Sequence, residues 1–221
     1  MYIELKDLSK SIRGTTVLQN INLRFEQGRI YGLKGPNGCG KTMLMRTICG
    51  LIRPTEGTVD INGEVLWSKI SFPRSIGILI ENPAFLPQYT GLKNLQMLAN
   101  LQNKVDTQQL RETLTAVGLE PDDPRKYRKY SLGMKQRLGV AAAVAERPDI
   151  ILLDEPINAL DEKGVQLIKE LLLRERERGA IIIIACHDKE ELEFLSNEII
   201  EIEEGKIKGQ YVLEKDGGQD E

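Results

Sequence analysis

Apolar and polar residues alternate near the start of the chain, whereas the apolar runs further on are continuous. Val17–Phe25 alternates through Ile21, Leu23 and Phe25, the period-two pattern of a half-buried strand, and Tyr2–Leu8 reads as a strand before it. Arg29–Lys34 is a short apolar run that leads into a glycine-rich loop. Lys41–Cys49 predicts a helix, closed by Gly50 and stopped by Pro54. Thr58–Ile61 and Ile76–Ile80 predict strands, with an Asn62-Gly63 turn after the first. From about Gly91 to Glu146 the pattern becomes helical. Leu92, Leu95 and Leu98 recur at one spacing, and Leu110, Leu114 and Val117 mark a second apolar stripe. A Pro/Asp-rich break at Glu120–Pro124 divides this stretch. Ile150–Leu153 and Ile181–Cys186 are continuous aliphatic runs, as expected of strands buried in a parallel sheet. Between them Val165, Ile168, Leu171 and Leu172 mark an amphipathic helix. The expected fold is α/β: a core with a parallel sheet, an N-terminal antiparallel β subdomain, and an inserted helical subdomain over about residues 88–147. These form one domain over residues 1–214, and the polar stretch at 215–221 reads as a disordered tail.

Composition narrows the function classes. The chain has 221 residues, 41% hydrophobic and 29% charged, which is enough to bury a core without disulfides or metals. Its 30 basic and 33 acidic residues form no basic block, which argues against direct nucleic-acid binding. The cysteines Cys39, Cys49 and Cys186 are odd in number and match no metal or disulfide spacing, so free thiols in a reducing cytoplasm are expected. The charged start MYIELKDLSK does not resemble a signal peptide. The longest apolar run, Ala180–Cys186, is too short to span a bilayer, which needs about 20 residues. Any membrane role therefore has to come through a partner.

Gly35-Pro36-Asn37-Gly38-Cys39-Gly40-Lys41-Thr42 fits the phosphate-loop pattern G-x-x-x-x-G-K-[ST], between a predicted strand and a predicted helix. Glycines let backbone N–H groups wrap phosphates, and the helix start adds partial positive charge. Asn37, Gly38, Cys39, Gly40, Lys41, Thr42 and Met43 are the expected nucleotide contacts, with Lys41 reaching the terminal phosphates and the Thr42 hydroxyl ligating Mg²⁺. A plain surface glycine turn is the competing reading. The run Ile150–Leu153 ends in Asp154-Glu155, and carboxylates at the end of a buried strand are costly unless they meet charge. Asp154 is the expected Mg²⁺ holder and Glu155 the general base for water. The alternative is an acidic capping pair before Pro156.

Three further segments stand in a specific order around that strand: Tyr130-Ser131-Leu132-Gly133-Met134-Lys135-Gln136-Arg137-Leu138, Asn158-Ala159-Leu160-Asp161, and Cys186-His187-Asp188. With the phosphate loop, the series resembles the ATP-binding-cassette ATPases over about residues 2–213. The resemblance implies a P-loop NTPase core that binds and hydrolyses ATP with Mg²⁺. It implies head-to-tail pairing with a second cassette, identical or different, and a separate transmembrane permease. The chain would then sit in the cytoplasm, peripheral to the inner face of the membrane. Ser131 and Gly133 would touch the γ-phosphate held by the partner cassette, at a helix start whose dipole favours anions. His187, the only histidine, would contact the γ-phosphate and help position water, although at a strand end it could also be merely exposed. Asp161 would pass contacts across the dimer.

Departures from the family pattern refine the resemblance. Leu132 stands where the signature usually has its first glycine, and Met134 follows Gly133. In the segment Ile78–Pro87, Glu81 stands where glutamine is usual, which makes it a further Mg²⁺ candidate. Both features resemble the subset of exporters of bacitracin-resistance and lantibiotic-immunity type. Ile12 occupies the place of the usual adenine-stacking aromatic, with Arg13 as a candidate substitute; Ile12 could instead belong to the core of the N-terminal sheet. Two rival classes remain. A soluble ABC-type ATPase acting on ribosomes or DNA usually has tandem cassettes or a long coiled coil, and this chain has neither. A P-loop kinase would not need the Ser131–Gln136 segment.

Overall fold

The computed structural model describes residues 1–101 and 105–213, so the expected tail at 215–221 lies outside the described residues. In chain order the strands are β1 (Tyr2–Ile12), β2 (Thr15–Glu26), β3 (Arg29–Lys34), β4 (Glu56–Ile61), β5 (Glu64–Val65), β6 (Ile76–Leu79), β7 (Ile150–Asp154), β8 (Ile181–Ala185), β9 (Glu198–Glu203) and β10 (Lys206–Val212). The helices are α1 (Lys41–Ile48), α2 (Gly91–Ala99), α3 (Thr107–Ala116), α4 (Leu132–Val144), α5 (Glu162–Glu177) and α6 (Lys189–Leu195). A 3-10 turn at Tyr127–Lys129 precedes α4. The fold is an α/β P-loop NTPase-like one, with parallel strands and helical insertions. The elements group into two compact units: Met1–Arg74 with the chain from Ile181 onward, and Ser75–Ala180.

In the first unit β1 pairs antiparallel with both β2 and β4. The β1–β2 hairpin turns on Arg13 (φ 49°) and Gly14 (φ 83°), the two positive φ values that a tight two-residue turn requires. Ile3, Leu5 and Leu8 of β1 and Leu18, Ile21, Leu23 and Phe25 of β2 are buried. Beside this sheet, β3 runs parallel to both β8 and β9, and β10 returns antiparallel to β9. Ile181–Ile184 of β8 are wholly buried, which accounts for the unbroken aliphatic run. Each such side chain contributes about 1.5–3 kcal/mol of apolar burial.

In the second unit β6 and β7 pair in parallel, and α4 lies against them. A Cβ on Gly77 of β6 would stand 1.7 Å from the Ala143 carbonyl oxygen of α4, so only glycine permits that approach. Helix α4 buries Leu138, Gly139, Val140, Ala141, Ala143 and Val144, and α5 buries Ile168, Leu171 and Leu172. Leu110, Leu114 and Val117 are buried as the stripe predicts.

Several boundaries differ from the sequence reading. β1 continues beyond Leu8 to Ile12, across register shifts on either side of Leu8. Gly57 extends β4 back to Glu56 at a positive φ of 77°. On α2 the inward face is Gly91, Asn94, Leu95 and Ala99, while Leu98 is exposed. A strict spacing of three drifts around a helix of 3.6 residues per turn, carrying Leu98 about 120° from Leu92. The sequence reading lacked α6, β9 and β10. Their charged residues interrupt the apolar pattern, although Glu204-Gly205 at φ 47° and 76° is a recognisable tight-turn pair.

Candidate functional site

The loop between β3 and α1 is wound around its own lysine. Lys41, the first residue of α1, is only 7% exposed. Its Nζ donates to the carbonyl oxygens of Gly35 at 2.6 Å and Pro36 at 3.1 Å. The Cys39 Sγ lies 3.9 Å away. Gly35 packs so tightly that a Cβ there would meet the Ile202 carbonyl oxygen at 2.2 Å. Gly38, at φ 78°, has open space where a Cβ would stand. Helices α2 to α6 begin with Thr90, Asp106, Ser131, Asp161 and Asp188, each accepting from the N–H three residues on. Helix α1 begins at Gly40 with no side-chain cap. The cap glycine offers no side-chain oxygen to the first turn, and an anion suits such a helix start. The loop thus fits a phosphate chain: an exposed glycine turn, an uncapped helix start and one buried ammonium. Asn37 is exposed, Cys39 buried, and Thr42 and Met43 half-buried.

Two more predicted residues belong to the first unit. His187 is exposed just beyond β8, before the Asp188 cap of α6. Ile12 is 38% exposed at the end of β1, beside the Arg13-Gly14 turn, and so is not a core residue of the sheet.

The second unit carries the acidic and signature residues. Asp154 ends β7, and Glu155 follows at φ 52°, a conformation uncommon outside glycine. Gln136 of α4 is 8% exposed and donates its Nε2 to the Glu155 carbonyl oxygen at 2.7 Å. The next residue, Arg137, donates to the Gly118 carbonyl oxygen at 3.2 Å. It also pairs with the Asp161 carboxylate. Asp161 caps α5 through the Gly164 N–H at 3.1 Å. That N–H first, and the Arg137 charge after it, hold the Asp161 carboxyl below its ordinary range. Ser131 caps α4 by accepting from the Met134 N–H at 3.2 Å. Gly133 lies close to the Ala159 carbonyl oxygen, 2.8 Å from where a Cβ would stand.

Glu81 is exposed, with φ 62°. The segment after it is fastened from below. The Tyr127 hydroxyl donates to the Pro83 carbonyl oxygen at 2.6 Å, and its ring meets Phe85 edge-on at 5.4 Å. Asn94 accepts from the Leu86 N–H at 2.9 Å and donates back to the Leu86 carbonyl oxygen at 3.2 Å. Burial pushes the Tyr127 and Tyr130 hydroxyls above their ordinary range, and the Tyr130 oxygen accepts from the Gly91 N–H at 3.1 Å.

A family model described as ABC transporter matches residues 18–158. The chain belongs to the ABC transporter family. It is 49% identical over 206 residues to the ABC transporter ATP-binding protein YybJ of Bacillus subtilis (strain 168), covering 93% of this chain and 94% of that one. The bacitracin transport ATP-binding protein BcrA of Enterococcus faecalis is 40% identical, over 93% of this chain and 67% of its own. The lantibiotic transport ATP-binding protein SrtF of Streptococcus pyogenes is 35% identical, over 97% and 90%. Among solved structures, dimeric MJ0796, a bacterial ABC transporter cassette, superposes with a TM-score of 0.84 at 26% identity, covering 96% of this chain and 99% of that one. The chain is thus an ATP-binding, ATP-hydrolysing ABC transporter subunit related to the bacitracin and lantibiotic transport ATPases.

Within the ABC cassette, side chains that the sequence reading gave no role are prominent. Gln136 and Arg137 were visible only as members of the signature run; Tyr127 and Asn94 carried no signal beyond being polar residues in a helical stretch. Among the described residues no group of three or more His, Cys, Asp or Glu forms a metal cage. Magnesium carried by nucleotide phosphates is held by one or two carboxylates together with phosphate and water oxygens. The hydroxyl of Thr42 and the carboxylates of Asp154 and Glu81 are hard oxygen donors of the kind it prefers. No helix of the described residues is long and apolar enough to cross a membrane.

Proposed function

We propose that this chain pairs head to tail with a second cassette, the same or a different one, and drives a separate membrane permease, in the export direction, from the cytoplasmic face of the membrane. The observation that most supports pairing is the likeness to MJ0796 over nearly the whole of both chains, since that cassette is described as dimeric. The transport roles of BcrA and SrtF favour a permease partner over a ribosome or DNA. The residues divide the work. Backbone N–H groups from Asn37 to Met43 bind the phosphates, and Lys41 exchanges its carbonyl partners for phosphate oxygens. Thr42, Asp154 and Glu81 are the donors for Mg²⁺, which supplies charge neutralisation of the phosphates when bound. Glu155 takes the proton from the attacking water, and His187 helps hold that water in place. Ser131 and Gly133 address the γ-phosphate bound by the other cassette, and Asp161 relays contacts between the two. Ile12 offers adenine an apolar surface without a π-system.

Glu155→Gln tests this reading, because the amide keeps the shape but cannot accept the proton. Hydrolysis should nearly vanish while ATP affinity persists, and size measurement with ATP and Mg²⁺ should show a dimer absent without nucleotide. Full hydrolysis in that variant would remove Glu155 from the role of base.

A further inference from the structure

Helix α4 is laid along the Glu155–Asp161 segment at three successive points of one face. Gly133 lies close to the Ala159 carbonyl oxygen. Gln136 donates to the Glu155 carbonyl oxygen at 2.7 Å. Arg137 pairs with the Asp161 carboxylate. Positions 133, 136 and 137 share a face by the i, i+3, i+4 rule, so one rigid helix contacts the whole segment. The middle contact is the most demanding. Gln136 is 8% exposed, and it is held on the backbone of a residue at φ 52°. A left-handed backbone at a non-glycine residue persists only where its surroundings over-determine it. Gln136 supplies one such determinant. The same helix begins at Ser131, whose side chain caps it.

We infer that Gln136 is a positioning residue for hydrolysis: its amide holds the Glu155 backbone so that the carboxylate points correctly, and it ties that orientation to the helix that begins at Ser131. The inference rests on Glu155 acting as the base. Gln136 touches no reacting atom; it acts through the peptide it holds. Hydrolysis therefore depends on where α4 lies, and a γ-phosphate contact at the Ser131 end of the helix is felt at the chain's own Glu155. The signature helix and the base segment of one chain then move together.

The test uses the full chain and two near-isosteric variants. Gln136→Met fills the space and cannot donate. Its kcat should fall about 10- to 100-fold, the penalty for a misplaced reacting group, while KM for ATP changes by less than about twofold. Gln136→Glu can donate only when its carboxyl is protonated, and burial against a carbonyl raises its pKa. Its rate as a fraction of the unmutated rate should therefore climb as pH falls from 8 to 6, whereas the Gln136→Met fraction stays flat. A purely structural role would not give this pH signature. Wild-type kcat in Gln136→Met, or a flat ratio for Gln136→Glu, overturns the inference. If neither variant folds, side-chain amide exchange in the unmutated chain decides: slow exchange at Gln136 is expected, and free exchange overturns it. Failure here is separable from failure of the parent reading, because Glu155→Gln tests the base without altering the Gln136 contact to the backbone carbonyl.

Discussion

Replacing Ser131 by alanine removes the oxygen that accepts from the Met134 N–H at 3.2 Å, and so uncaps α4. Loss of a serine cap costs about 1 kcal/mol. For a chain of this size that lowers the melting temperature by about 2–4 °C. Aspartate at the same position is as good a cap, and its charge at a helix start adds about 0.3–1 kcal/mol. Ser131→Asp should therefore melt at or slightly above the unmutated chain. The two variants part company in function. If Ser131 faces the γ-phosphate of the other cassette, the new carboxylate meets like charge. At about 4 Å and an effective dielectric near 20, each unit pair costs about 4 kcal/mol, or about 1,000-fold in an equilibrium constant. Ser131→Asp should abolish ATP-dependent pairing and hydrolysis while leaving the fold intact, and Ser131→Ala should lose less function but more stability. Scanning fluorimetry without nucleotide reads the first effect; sizing with ATP and a phosphate-release assay read the second. Normal turnover in Ser131→Asp would refute the placing of Ser131 against phosphate, and an unshifted melt in Ser131→Ala would refute the cap.

Ile12→Tyr should leave stability nearly unchanged, because the position is exposed, and should tighten ATP binding severalfold in a calorimetric titration if this position faces adenine. The Asp161 carboxyl, held below the ordinary value near 3.8, contributes stability that is fully present above that value and lost as pH falls through the lower folded value. Asp161→Asn should therefore weaken the acid dependence of unfolding below about pH 4, as measured by denaturant titration at stepped pH.

The parts of the fold legible in the sequence were those where one local rule applies. Ile181–Ile184 are buried on both faces of a parallel strand, and a continuous aliphatic run has few other uses. The phosphate loop was legible because its glycines and lysine are fixed by a backbone path that few other sequences follow. Helix α2 was legible as a helix but not in its facing, because Asn94 occupies the inward stripe. Its amide exchanges hydrogen bonds with Leu86, a role decided by a neighbouring loop rather than by hydropathy. Strands β9 and β10 escaped because Glu198, Glu201, Lys206 and Lys208 break up their apolar positions. Glu198 is nonetheless buried, with Arg29 at 3.5 Å, so its charge is answered by tertiary structure that no local window contains.

The same distinction explains why the acidic candidates stand out in the sequence while their supports do not. A carboxylate at the end of an aliphatic run is conspicuous, because burial makes charge expensive there. What orients it is not conspicuous. Glu81 and Glu155 both take positive φ, yet neither is followed by the Asn-Gly or Asp-Gly pattern that announces such a backbone. Contacts from distant parts of the chain lie beside both. The Glu81 segment is pinned by Tyr127 through Pro83, and the Glu155 carbonyl is held by Gln136, some 19 positions away in the chain. A glutamine inside an otherwise apolar helix is a weak signal by itself. It becomes a strong one when the buried amide holds a peptide that carries a predicted base. The sequence thus exposes the groups proposed for the chemistry, while Gln136 and Tyr127, which hold the backbone beside them, emerge only from tertiary packing.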